Sequence, residues 1–205
     1  MHIAIAGNIG SGKTTLATLL ARHYAWEVMY DEEEGNPYLA DFYEDMRQWS
    51  FNLQIYFLHR RYKNILDIQK NNNSVIQDRT IYEDACIFAP TLLGMGLMSP
   101  RDFETYESLY DLMMTLVSPP TLLIYLKASV PTLVRQIQKR GREYENSIRM
   151  DYLQSLNNRY DQWIESYKNK SLVINVDIVN FSENPENLSV IIDKINAETN
   201  GALTV

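Results

Sequence analysis

Gly7-Asn8-Ile9-Gly10-Ser11-Gly12-Lys13-Thr14 places glycines, a lysine and a threonine at the spacing G-x-x-x-x-G-K-[ST]. That spacing suits a chain of phosphates. Glycines let successive backbone N–H groups turn inward without Cβ clashes and form a nest for an anion. A helix opening at Lys13 adds the partial positive charge of its N-terminus. Lys13 is expected to reach the β- and γ-phosphates of ATP, and the Thr14 hydroxyl to ligate Mg²⁺. Gly7 through Thr15 are the candidate nucleotide-binding residues.

Asp78 and Arg79 close the apolar run Val75-Ile76 and Gln77. The C-terminal end of a strand is where ligands bind in open α/β sheets. There Asp78 can orient hydrated Mg²⁺ or accept a proton, and Arg79 can stabilise charge on a phosphoryl group in transfer. An acceptor hydroxyl is a poor acid, so a carboxylate near it must take the proton as the bond to phosphorus forms. Asp31 also ends a strand, with Glu32 beside it, and the choice between Asp31, Glu32 and Asp78 stays open. Arg135, Lys139, Arg140 and Arg142 crowd one short stretch of an acidic chain. They read as a lid, at about 135–145, that closes over phosphates and excludes water.

These residues need a frame. Residues 2–6 read as a buried strand, followed by the glycine turn and a helix from about Lys13 to Tyr24. Strands are expected at 26–30, 74–77, 121–126 and 172–176. Helical patterns run over about 48–70, 80–93, 100–117, from Ser129 onward, over 148–168, and from Asn184-Pro185 to about Glu198. In the 48–70 helix Phe51, Ile55, Leu58, Tyr62 and Ile65 mark one apolar face. Strands alternating with helices predict a parallel five-stranded sheet covered on both faces, in a single domain spanning 1–205. The tail from Asn200 is expected to fray.

The chain has 205 residues and a net charge of −7, the wrong sign for a general nucleic-acid binder. One cysteine, Cys86, permits no intrachain disulfide and fits a reducing cytoplasm. No apolar run approaches the ~18 residues of a membrane span. An N-K-x-D guanine motif is missing, which disfavours a GTPase or a regulatory switch.

Beyond the phosphate loop, Asn36-Pro37-Tyr38-Leu39 with Phe42-Tyr43, the run from Trp49 to Leu58, Gln77-Asp78-Arg79-Thr80-Ile81-Tyr82-Glu83-Asp84 and Arg140-Gly141-Arg142-Glu143 occur in an order that resembles the deoxyribonucleoside kinases. The resemblance covers about residues 2–168. It implies transfer of the γ-phosphate of ATP to the 5′-hydroxyl of a deoxyribonucleoside, deoxyadenosine first, with deoxycytidine or deoxyguanosine also possible. It implies that Gln54 bonds the base edge, with Asp84 and Arg61 beside it. Tyr43 and Glu145 would hold the sugar 3′-hydroxyl, and Arg79 would lie near the 5′-oxygen and the phosphates. The family's carboxylate after the second strand falls on Asp31, where most relatives have glutamate. Arg140 and Arg142 match the family lid, whereas the usual lid arginine falls on Gln136, with Arg135 adjacent. Helices 48–70 and 100–117 are expected either to pair in a homodimer or to cover the sheet. A nucleoside monophosphate kinase is the alternative, and it would need further cations for the acceptor's phosphate.

Overall fold

A computed structural model describes residues 1–31, 35–71 and 73–199. Among them five strands form one sheet: β1 (His2–Gly7), β2 (Glu27–Met29), β3 (Val75–Asp78), β4 (Leu122–Lys127) and β5 (Ser171–Asn175). Their order is β2-β3-β1-β4-β5, and every pairing is parallel. The helices are α1 (Lys13–Tyr24), α2 (Leu39–Glu44), α3 (Met46–Lys70), α4 (Ile81–Glu83), α5 (Ala89–Gly94), α6 (Pro100–Met114), α7 (Val130–Arg140), α8 (Met150–Ser166) and α9 (Pro185–Glu198).

The side-chain alternation of β1 separates two cores. Ile3 and Ile5 pack with Leu16 and Leu20 of α1 and Ile191 and Ile195 of α9. Ala4 and Ala6 face the other way, toward Leu53 and Leu58 of α3 and Tyr160 of α8. Small residues on that side leave room for aromatic rings. Tyr125 of β4 stacks on Tyr160 with centroids 5.6 Å apart and an interplanar angle of 10°. The predicted five-stranded parallel sheet with helices on both faces is what the chain forms.

Several local expectations need correction. The six-residue α2 was not predicted; fewer than two turns show no readable period, and the segment is held by packing against α3. The 80–93 helix is broken into α4, a π-helical turn (Asp84–Phe88) and α5. Ala89 N–H bonds the carbonyl of Asp84, five residues back. Pro90, which has no N–H to give, follows at once and removes the ordinary bond at that point. The 148–168 helix begins at Met150, after a 3₁₀ turn (Glu143–Ser147).

The buried stripe of α3 also differs from the expected one. It contains Ser50, Gln54, Leu58, Arg61, Ile65 and Ile68, whereas Phe51, Ile55 and Tyr62 are only partly buried. Ser129 stands at the N-cap of α7, but its hydroxyl donates to Asp177 Oδ1 (2.9 Å), and Asp177 Oδ2 accepts the Ser129 N–H at 3.0 Å. Helices α3 and α6 pack on one another within the chain and bury Tyr106 between core residues. The tail from Asn200 lies outside the described residues.

Gly10 is not fixed by the motif spacing, which leaves that position open, but by α7. It adopts φ +83, and a Cβ there would lie 2.8 Å from Leu133 O and 2.9 Å from Ile137 Cγ1. Gly10→Ala is therefore expected to lower stability by about 1–3 kcal/mol through overpacking and left-handed strain. Urea unfolding checks this, and an unchanged midpoint would refute it.

Candidate functional site

The phosphate loop leaves β1 at Gly7 and enters α1 at Lys13. Asn8 braces it from behind. Its Nδ2 donates to Leu153 O (3.1 Å) and Asn157 Oδ1 (2.6 Å), and its Oδ1 accepts the Ile9 N–H at 2.8 Å. Ser11 N–H closes a turn on Asn8 O at 3.1 Å. Lys13 Nζ donates to Gly7 O at 2.9 Å and Asn8 O at 3.0 Å. Burial, followed by the nearby Arg79 charge, lowers the Lys13 amine to about 7. An amine so desolvated gains strongly from an anion placed beside it.

Thr14 Oγ1 donates to Asp78 Oδ2 at 2.6 Å, while Asp78 Oδ1 is buried with no partner among the described residues. Burial pushes the Asp78 carboxyl up, against the opposing pull of Lys13. Ile9, Gly10, Gly12, Lys13, Thr14, Thr15, Asp31, Asp78 and Arg79 line one groove with Gln136, Lys139, Arg140 and Arg142 of the segment expected to form a lid.

Beyond Asp78 the chain turns through Arg79, a non-glycine residue at φ 69. Thr80 and Glu83 form a capping box that starts α4 there. The strained turn brings the guanidinium to Asp31, with Nε 3.1 Å from Oδ2. Arg61 reaches the same carboxylate from α3, its Nη2 2.9 Å from Oδ1, and its Nη1 bonds Asp84 Oδ1. Burial pushes the Asp31 carboxyl up, but Arg61 and Arg79 together outweigh it and hold it below the ordinary range. Asp84 is raised to about 6 by burial, in spite of Arg61. Glu32 lies outside the described residues.

A second compartment opens on the other side of Asp31 and Arg79. Leu53, Phe57, Phe88 and Tyr152 supply apolar walls. Gln54, Arg61 and Asp84 line it too, and each carries a buried atom (Oε1, Nε and Oδ2) with no partner among the described residues. Tyr43 lines it and stacks on Tyr144, with centroids 5.8 Å apart. Glu145, also in the wall, accepts from Arg140 Nε at 3.0 Å and lies 3.6 Å from Arg142 Nη1. The structure brings Ile9, Gly10, Gly12, Lys13, Thr14, Thr15, Asp31, Tyr43, Gln54, Arg61, Asp78, Arg79, Asp84, Arg140, Arg142 and Glu145 into two compartments that share Ile9, Asp31 and Arg79, whereas Gly7 and Asn8 line neither and Ser11 lines a separate recess.

Sequence reading passed over two features. Phe181, Asp177 and Arg135 line a further recess that opens past Gly12 and Thr15. Arg135, expected in the lid, instead donates to Thr132 Oγ1 at 3.2 Å and faces this recess. The segment around Phe181 has no periodic signal that would have marked it. Glu83, buried beneath Arg79, did have one: Thr80-x-x-Glu83 is a capping-box spacing.

The sequence profile of the family "Deoxynucleoside kinase" matches residues 3–199. The chain is 38% identical over 192 residues to a deoxyadenosine/deoxycytidine kinase of Bacillus subtilis (strain 168), covering 91% of this chain and 88% of that one. It is 41% identical over 163 residues to a deoxyguanosine kinase of the same organism, covering 78% and 76%. A solved deoxyadenosine kinase from M. mycoides with bound dATP superposes with a TM-score of 0.85 at 28% identity, covering 96% of this chain and 99% of that one.

Arg61 bridges the carboxylates of Asp31 and Asp84. Arg61→Ala is expected to cost about 3–5 kcal/mol, because buried Asp84 loses its paired counter-charge and Asp31 is left with Arg79 alone. Asp84 binds its proton more tightly folded than unfolded, and losing Arg61 raises its folded pKa further. Stability then rises as pH falls through that value. The loss measured by chemical denaturation is expected to be larger at about pH 8 than at about pH 5.5; the opposite trend would contradict the pairing.

Proposed function

The chain belongs to the deoxynucleoside kinase family, and on that premise we propose that it transfers the γ-phosphate of ATP to the 5′-hydroxyl of deoxyadenosine first, with deoxycytidine and deoxyguanosine as further acceptors. The observation that carries this reading is the junction at Asp31 and Arg79, the residues common to a phosphate cradle and to an aromatic-walled pocket.

In this reading the triphosphate lies along the amides of Gly7 to Thr15, with Lys13 at its far phosphates. The donor base extends toward Phe181 and Arg135. Thr14 and Asp78 would hold Mg²⁺: both offer hard oxygens, and the orphaned Asp78 Oδ1 suits an ion that keeps most of its shell as phosphate and water. When bound, the ion neutralises charge on the phosphate oxygens.

The acceptor's base meets Gln54, Arg61 and Asp84. An ionised Asp84 accepts from an exocyclic amine, which adenine and cytosine carry at the paired edge and thymine lacks. Gln54 supplies the matching donor and acceptor in one plane. Tyr43 and Glu145 face the sugar. Asp31 orients the 5′-hydroxyl while Arg79 takes up charge on the transferring group. The depressed Asp31 carboxyl is a weak proton acceptor, which a loose phosphoryl transition state tolerates. Asp78, raised by burial, holds the proton more readily.

A monophosphate as acceptor is not supported. The cations lining that pocket, Arg61 and Arg79, are already paired with Asp31, Asp84 and Glu83. The kinase domain is read as 1–205, with the lid at about 135–145 closing through Arg140 and Arg142. Cytoplasmic residence fits the free Cys86. No helix of the described residues is long and apolar enough to cross a membrane. Exposed Leu112 and Leu116, at the end of α6 and just beyond it, support a homodimer in which this edge is covered.

The decisive assay offers labelled ATP with the natural deoxynucleosides, dAMP and dTMP. Transfer to deoxyadenosine above the others is expected, and phosphorylation of thymidine alone, or of monophosphates only, would overturn the assignment. Lys13→Ala is expected to stay folded and lose ~100-fold or more in turnover, the usual scale for a preorganised charge. Because the Lys13 amine sits at about 7, ATP binding above that pH should draw a proton onto it. Calorimetry in buffers of different ionisation enthalpy reads this uptake, and its persistence in Lys13→Ala would refute the source.

A further inference from the structure

Glu83 takes no part in the transfer just described, yet donors surround it. It is fully buried at the C-terminal end of α4. Oε1 accepts the Gly7 N–H at 3.1 Å and Arg79 Nη1 at 3.3 Å. Oε2 accepts the Thr80 N–H at 2.7 Å and Thr80 Oγ1 at 3.2 Å. The Tyr160 hydroxyl lies 2.7 Å from Oε1 and 2.9 Å from Gly7 O, so its single proton serves one or the other. The same hydroxyl accepts from Arg79 Nη1 at 3.2 Å.

One side chain therefore touches the first residue of the phosphate loop, the arginine at the junction, and the residue that completes the left-handed turn at Arg79. Such a backbone conformation costs free energy and persists only where its surroundings fix it. A carboxylate, with acceptor lone pairs on both oxygens, matches this set of donors.

We propose that Glu83 is a positioning residue for phosphoryl transfer: it clamps the entrance of the phosphate loop and the Arg79 guanidinium into one rigid unit, so that the charge at the junction stays in register with the donor's phosphates. The inference rests on the kinase reading. Tyr160 completes the clamp from α8, and its ring is fixed by stacking on Tyr125.

Glu83→Gln is the test. The amide keeps the shape, but however it turns, an NH₂ group faces donors. Turnover per folded molecule, with folding verified by near-ultraviolet circular dichroism, is expected to fall roughly 10–100-fold, the scale of a small misplacement of reacting groups. The KM for ATP should rise in parallel. The KM for the deoxynucleoside and the ranking of bases should not move, because Gln54, Arg61 and Asp84 are untouched.

A folded Glu83→Gln enzyme with normal kcat and normal KM for ATP would overturn the clamp, as would a loss confined to the acceptor KM. Should that variant not fold, Tyr160→Phe decides. It keeps the ring and removes the hydroxyl's bonds to the clamp, so kcat must fall and the KM for ATP must rise; wild-type values for both would refute the proposal. A wild-type protein that phosphorylates no deoxynucleoside would strike the kinase reading itself. The clamp is then judged by the Kd for ATP, which Glu83→Gln must weaken; an unchanged Kd refutes it.

Discussion

A chain of buried opposite charges organises this molecule: Asp84, Arg61, Asp31 and Arg79 alternate in sign across the space between α3 and the end of β3. Each would be costly to bury alone, and the alternation makes burial tolerable. Asp31 is the member that both guanidiniums share, and it lies where the two compartments meet. The sheet supplies the geometry. Parallel pairing puts the C-terminal ends of β1, β2 and β3 on one edge, so the phosphate loop, Asp31 and Arg79 arrive there from three separate crossovers.

The proposed lid carries its own ion pairs. Glu145 holds Arg140 and Arg142 at the wall of the aromatic compartment, while both arginines also line the phosphate-loop groove. Because even a Cβ on Gly10 would lie 2.8 Å from Leu133 O, α7 and the floor of the groove are in steric contact. Movement of one is felt by the other without an intervening side chain.

Much of this was legible in the sequence, and the reasons are local. The phosphate loop is read from its own spacing, since the anion nest is built by consecutive residues. Asp78 and Arg79 were found because an apolar strand must end there. The order of alternating strands and helices gave the parallel sheet. The rest depends on contacts remote in sequence. Hydrophobic periodicity misplaced the face of α3, because its buried stripe includes Ser50, Gln54 and Arg61. A search for apolar spacing skips polar residues, and here two of them, Gln54 and Arg61, line the aromatic-walled compartment. The π-helical turn at Asp84 comes from Pro90, a few residues downstream, and moves Asp84 off ordinary helical spacing. Phe181 meets the phosphate loop across 169 positions of sequence, near the point where a Cβ on Gly12 would lie 3.3 Å from its ring. Nothing in its own segment announces that.

Gln54 and Arg61 stand seven positions apart on α3, whereas the phosphate loop belongs to β1 and α1. On the proposed assignment, acceptor taste and donor chemistry are written on different pieces of the chain, joined by the charge array and by the packing of Ala4 and Ala6 against Leu53 and Leu58. A lineage, or an engineer, would then redraw the list of nucleobases admitted by editing α3 and the turn at Asp84, and the engine that moves phosphate need not be rebuilt.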